Sequence, residues 1–298
     1  MEFNNLKAAM MVVIAMSMIT TNDAIVKHLS QVFGIGQIMF LRGLAICAIF
    51  ALVLSVKRQP IFNRTSFHRW NLLRGLLELL ATLTFLTGLS MLPIATASTL
   101  GFSSPIFLAV IAAIFLKERV GLVRWLIILA GFGGVMLISN PFSESASWAV
   151  VFPITCAVFV ALRDVAIRFV PDEIPSLQVA FTNAWIVTIG GGIYSLFQGW
   201  SSADLHWYLW FIALSMILYC GYLFYIIGTR IGELSFIGPF KYVSIIIAIL
   251  YGYFIWDEEP SLNMLIGAAI IVFSGAILVY GEKRRARADA YPRVSLRH

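Results

Sequence analysis

Four ionisable side chains stand deep inside otherwise apolar stretches of this 298-residue chain: Asp23, Arg42, Glu78 and Lys241. Arg163 and Asp164 make a fifth such place, near the end of another apolar run. A charge at membrane depth costs about 2.5–3.5 kcal/mol or more on insertion scales, so each needs a partner or a function. Counted from the turn near residue 32, Asp23 lies nine residues before it and Arg42 ten after. At ~1.5 Å per helical residue the two reach similar depth. That suits an ion pair between neighbouring helices, acting either as a structural clasp or as a proton- or substrate-handling pair. Glu78 and Lys241 enter their runs from the same side and again match in depth, at ~10–12 Å. A separated acid and base can hold the ammonium and carboxylate of a zwitterionic amino acid; alternatively they neutralise each other or snorkel towards the surface.

Aromatic and hydroxyl groups supply the second set of candidates. Tyr219, Tyr222 and Tyr225 recur on one broad helical face, and Tyr242 and Phe102 can join them. They read either as the aromatic wall of a substrate cavity or as helix packing with satisfied hydroxyls. Pro105 and Pro239 each interrupt the helical ladder, as hinges or as static kinks. Ser98, Thr99, Ser103 and Ser104 flank Pro105 and can hydrogen-bond the freed backbone or a substrate.

The elements that position these groups are membrane spans of roughly 20 mainly apolar residues. The sequence predicts ten, at 6–28, 36–56, 70–90, 93–116, 121–138, 148–169, 175–197, 207–229, 234–256 and 262–280. The two halves echo each other. Asp23 returns as Asp164, Gln37 as Gln178 and Gly134 as Gly275, each 141 residues later. The organisation is therefore a first five-helix repeat over 1–140, a second over 141–281, and a basic tail over 282–298. Five is odd, so the second repeat must lie inverted relative to the first. The expected fold is an all-α membrane protein, ten transmembrane helices in two inverted five-helix repeats. Inverted repeats occur in many secondary transporters, with the binding site between them near the midplane.

Lys and Arg set the orientation. With the N-terminus inside, Lys57, Arg58, Arg64, Arg69, Lys117, Arg119, Arg168, Arg230 and the tail fall on the cytoplasmic side. Glu144, Asp204 and the run Asp257-Glu258-Glu259 fall outside. The expected orientation has both termini cytoplasmic. The N-terminal run continues past the length of a signal-peptide core into the Asp23 motif, so it reads as a retained first span. Glycines 131, 133 and 134 in the fifth span, with Gly267 and Gly275 in the tenth, read as packing positions.

Composition excludes several classes. Hydrophobic residues make up 60% and charged residues 12%, outside the range of soluble domains. The formal charge of +6 sits mostly in short loops and the tail, the pattern of cytoplasmic loops and not of a nucleic-acid groove. The histidines (28, 68, 206 and 298) lie at span ends, in loops or in the tail. No HExxH, GxSxG or phosphate-loop pattern is present. Cys47, Cys156 and Cys220 are isolated in apolar runs, as buried small hydrophobes are. The reading is a small-molecule carrier in a lipid bilayer, without enzyme activity, cofactor, metal or nucleic-acid partner.

The stretch FLTGLSMLPIATASTLGFSSPIFLAVIAAIFLKERV followed by GFGGVMLISNP, with NDAIVK and QIMFLRG earlier, resembles the drug/metabolite transporter superfamily, in its ten-span EamA-type branch. The resemblance covers about residues 6 to 280, more closely in the first half. It implies a central cavity lined by spans 1, 3, 4, 6, 8 and 9, and export of amino acids or other metabolites, in the style of bacterial aromatic amino acid exporters. Uptake carriers for S-adenosylmethionine and drug exporters share the same features.

Overall fold

The computed structural model describes residues 5–62, 67–104, 106–107, 110–111, 122–139, 147–166, 169–171, 173–202, 204–231 and 238–290. Ten α-helices run through them: α1 Asn5–Leu29, α2 Ile35–Val56, α3 Arg69–Met91, α4 Ile94–Gly101, α5 Leu122–Ser139, α6 Val151–Ala166, α7 Ser176–Gln198, α8 Leu205–Ile231, α9 Val243–Trp256 and α10 Leu262–Ala290. Short 3-10 turns, Trp148–Val150 and Gly238–Tyr242, lead into α6 and α9. Pro239 lies in the second turn, while Pro105 falls outside the described residues. The tenth helix runs past Tyr280, the expected span end, to Ala290.

Local chemistry sets several boundaries. Pro93 separates α3 from α4, because a residue before proline disfavours the helical region. Pro175 stands immediately before α7, and Gly199 closes that helix at φ +84°, a conformation that glycine adopts without steric cost. α9 stops at Asp257 in the left-handed region, φ 52°, which aspartate tolerates better than most side chains.

Within α1, Ser17, Thr20 and Thr21 return their hydroxyls to the carbonyl four residues back. No hydroxyl there is left bare in an apolar surround. Among the described residues six helices are long and apolar enough to cross a membrane. The outer surface is apolar as well, with Leu129 61%, Phe254 75% and Phe273 68% exposed. Contiguous apolar surface of that extent needs lipid as its solvent.

Helix packing carries the repeat. The pair α1–α8 is matched by α3–α6, α1–α9 by α4–α6, and α2–α8 by α3–α7, while α2–α7, α4–α9 and α5–α10 pair across the symmetry. Exchanging each helix with the one five places on maps this set onto itself. The symmetry reaches single hydrogen bonds. Gln37 Nε2 donates to Ser201 O at 2.8 Å, and Gln178 Nε2 to Pro60 O at 3.4 Å. Both donor and acceptor are displaced by the same repeat offset.

Contacts at helix ends fix the directions. Lys27 near the end of α1 meets Glu258 just beyond α9, and Gly36 N at the start of α2 donates to Gln198 Oε1 at the end of α7, 2.8 Å away. Gly88, near the end of α3, lies against Phe152 and Pro153 at the start of α6. These mark one end of the bundle, termed here the far end. At the near end, where α1 begins and α10 finishes, Trp70 stacks on Phe169 at 4.7 Å. Helix α1 therefore runs towards the far end and its counterpart α6 runs away from it. The protein is a ten-helix membrane fold of two inverted repeats.

Candidate functional site

A cavity of about 480 Å³ opens between the repeats, lined by α2, α3, α7 and α8, by Arg163 of α6 and by the segment between α6 and α7. Its lining runs from Met39, Arg42 and Val187 at mid-depth to Val170, Pro171 and Ile174 at the near end. The charged and phenolic groups on it are Arg42, Arg74, Glu78, Arg163, Tyr222 and Tyr225. The remainder is mainly apolar, including Ile46, Phe50, Val179 and Leu218. Helices α2 and α7 thus supply much of the wall, and no lining residue comes from α1, α4 or α9. The resemblance also expects spans 1, 4 and 9 on the wall, and spans 4 and 9 lie partly outside the described residues. Among the described residues the symmetric α2–α7 seam crosses between the repeats, and towards the near end Phe50 and Leu54 of α2 pack with Phe181 of α7.

The far end is packed shut. Leu29, Phe33, Leu89, Leu92, Ile94, Phe211 and Leu214 join one buried cluster, and Phe33 meets Trp207 edge-on at 5.3 Å. A polar knot lies over it. Lys27 Nζ donates to Glu258 Oε1 and to Leu92 O at 2.9 Å. Glu258 Oε2 accepts from Ile94 N at 3.0 Å. The left-handed turn at Asp257 brings Glu258 back over α9, its N–H reaching Gly252 O at 3.0 Å. One acidic side chain thereby ties α1, the α3–α4 corner and the α9–α10 corner together.

The charged candidates find partners that depth alone did not select. Glu78 pairs with Arg163: Nη1 donates to Oε2 at 2.9 Å and to Oε1 at 3.1 Å. Arg163 also donates from Nε and Nη2 to Asp164 Oδ1, at 3.2 Å each. The expected Asp23–Arg42 ion pair is absent among the described residues. Arg42 Nη1 donates instead to Asn22 Oδ1 at 3.2 Å, and Asn22 Nδ2 to Leu214 O at 3.0 Å. Ser215 Oγ adds a bond to Arg42 O at 3.1 Å. Asn22 is fully buried and bonds to both α2 and α8, so it, and not the adjacent Asp23, is the hydrogen-bond partner of Arg42. Lys241 does not meet Glu78; its Nζ lies 5.1 Å from the Tyr225 ring centroid, a cation–π arrangement.

The tyrosine face divides. Tyr222 and Tyr225 line the cavity, while Tyr219 packs edge-on against Phe50 at 5.6 Å. Tyr242 is buried against Ile245 and Ala268, with no partner on its hydroxyl. Ser98 and Ser103 are buried; Ser103 Oγ donates to Leu100 O at 2.6 Å, satisfying local backbone. Phe102 packs between Met16 of α1 and Tyr242. Tyr219, Tyr242, Ser98, Ser103 and Phe102 are not among the described residues lining the cavity.

Arg74 was not singled out from the sequence. It lines the cavity one helical turn before Glu78, and its Nε and Nη1 are shielded without an acceptor. Asn183, which occupies Arg42's place in the second repeat, also lines the cavity and keeps an unpartnered Oδ1. The spacing of Arg74 and Glu78, four residues apart on an expected helix, was the available signal.

The EamA-like transporter family profile matches residues 6–140 and 147–281, once per repeat. An S-adenosylmethionine uptake transporter of Rickettsia bellii is 27% identical over 229 residues, covering 72% of this chain and 73% of its own. A riboflavin transporter of Rhizobium johnstonii is 26% identical over 237 residues, 79% of this chain and 78% of its own. A pseudopaline exporter of Pseudomonas aeruginosa is 25% identical over 269 residues, 88% and 92%. A solved crystal structure superposes with a TM-score of 0.60 over 95% of this chain and 100% of its own at 18% identity, a likeness of fold.

Proposed function

The chain belongs to the EamA-like transporter family, and from that premise we propose that it is a secondary carrier exporting amino acids or related small metabolites. The observation that carries this reading is the cavity between the inverted repeats, polar at mid-depth and apolar around it, reaching towards one end while the other is packed shut. Alternating access follows from the symmetry. The seam α2–α7 relates the two repeats, so exchanging their conformations opens the far end and closes the near one. With both termini cytoplasmic, as the distribution of Lys and Arg supports, the present state faces inwards from a bacterial inner membrane.

Uptake is the second reading, favoured by relatives named for the uptake of S-adenosylmethionine. Both directions use one cavity and differ in the gradient that drives them. Purified protein in liposomes, preloaded with single unlabelled amino acids or metabolites and offered the labelled compound outside, should show counterflow for a subset of the panel. Repeating the assay with an imposed pH gradient separates proton-coupled export from exchange. Absence of counterflow across amino acids, S-adenosylmethionine and riboflavin would sink the carrier reading. A reporter placed after Tyr280 should report the cytoplasm and one near Ser202 the outside; the reverse pattern inverts the proposed orientation.

A further inference from the structure

The cavity's charges are unequal in number and in how far the protein itself satisfies them. Among the described residues three guanidiniums and one carboxylate line it. Glu78 accepts from Arg163 at both oxygens, so among the described residues the one carboxylate on the wall is already paired with a cation. Arg42 is held by Asn22. Arg74 differs, because Nε and Nη1 are shielded from solvent and have no acceptor. A guanidinium with two nitrogens lacking an acceptor is costly there, and its planar donors match a carboxylate better than any neutral group. Tyr222 lines the same cavity. Next to this cationic floor the wall turns apolar, at Ile46, Phe50 and Leu218.

We infer that the substrate is an organic carboxylate with an apolar body, its carboxylate held by Arg74 and its body against the Phe50 wall, with no amine required. The inference rests on the reading of this cavity as the substrate site. It reassigns Glu78 from ammonium receptor to internal partner of Arg163, and removes Lys241 from direct substrate contact. An amino acid then binds through its carboxylate and side chain, and an amine-free acid binds as well. Arg74 carries the discrimination: replacing it removes a charge-assisted contact and should weaken binding about tenfold or more.

The test uses the purified full chain in detergent with three probes: phenylacetate, phenylalanine and phenylacetamide. Phenylacetate and phenylalanine should raise the melting temperature in a saturable way, and phenylacetamide should not. Arg74→Gln should keep its ligand-free melting temperature yet lose the carboxylate response; Arg74→Lys should keep the response at about tenfold higher concentration. If Arg74→Gln fails to fold, the wild-type contrast between phenylacetate and phenylacetamide still decides. Equal stabilisation by acid and amide, an unaltered response in Arg74→Gln, or no response to either carboxylate overturns the inference. Counterflow in liposomes separates the two readings. Phenylacetate that binds but does not exchange overturns the carrier reading alone. Phenylacetamide exchanging as fast as phenylacetate overturns the carboxylate inference alone.

Discussion

Replacing Glu78 with glutamine tests the central ion pair most directly. Arg163 Nη1 sits 2.9 and 3.1 Å from the two Glu78 oxygens, and the side chains are 21% and 14% exposed, respectively. The pair joins α3 to α6 at a depth where water competes weakly. Breaking a buried pair by removing one partner costs about 3–5 kcal/mol. The lower end applies to Glu78→Gln, because Asp164 stays bonded to Arg163 and takes up part of the stranded charge. A loss of about 3 kcal/mol is expected for that change. Arg163→Gln strands the Glu78 carboxylate, 14% exposed, with no second contact to Arg163 left to offset it, and should lose more. The double variant should lose less than the two singles together, with a coupling of about 1–3 kcal/mol. Denaturant unfolding of all four proteins in one detergent measures this. Additive losses, or a Glu78→Gln variant as stable as wild type, would refute the assignment of Arg163 as the partner. The same cycle run on Arg42 should couple it more strongly to Asn22, which it touches, than to Asp23.

Gly36→Ala should destabilise the α2–α7 seam by about 1–3 kcal/mol or more, since the added Cβ would lie 2.4 Å from Ser195 N and 2.9 Å from Gly191 O, both backbone. Gly133→Ala, with nothing within 4 Å, serves as the neutral control; equal thermal shifts for the two would contradict the close approach. Lys27→Met removes the donor that Glu258 and Leu92 share, a loss of about 1.5–3 kcal/mol and a bias of about tenfold or more towards opening the far end. A cysteine placed at the fully buried Leu89, in a background lacking Cys47, Cys156 and Cys220, should then react faster with an impermeant maleimide. Unchanged labelling would remove the closing role from Lys27.

The repeat was legible because it is a one-dimensional property: an offset carries Gln37 to Gln178 in the sequence, and the same offset carries Ser201 back to Pro60 in space. Span limits were legible for a similar reason, set as they are by apolar length and by punctuation such as Pro93, Pro175 and Gly199. Charge partners were not legible. Counting residues from a turn gives the depth of Glu78 but not its lateral neighbour, and α3 is packed on α6, which presents Arg163. Depth likewise matched Asp23 to Arg42, yet a single residue is about 100° of helical rotation, enough to give the hydrogen bond with Arg42 to Asn22 in place of Asp23. Arg74 escaped for a related reason. Near the end of a span an arginine reads as a snorkelling anchor, and only the cavity wall distinguishes an anchor from a binding group. Depth is written in the sequence, azimuth emerges from packing, and substrate chemistry in this fold is decided by azimuth. Rotating the charge at position 74 off the wall is therefore the sharpest available contrast. An Arg74→Gln/Leu73→Arg variant keeps one arginine at nearly the same depth while moving it to an outward-facing position, Leu73 being 39% exposed. Carboxylate stabilisation should be lost in that variant as fully as in Arg74→Gln alone; its retention would show that net charge at that depth, and not the placement of the guanidinium on the cavity wall, is what the ligand reads.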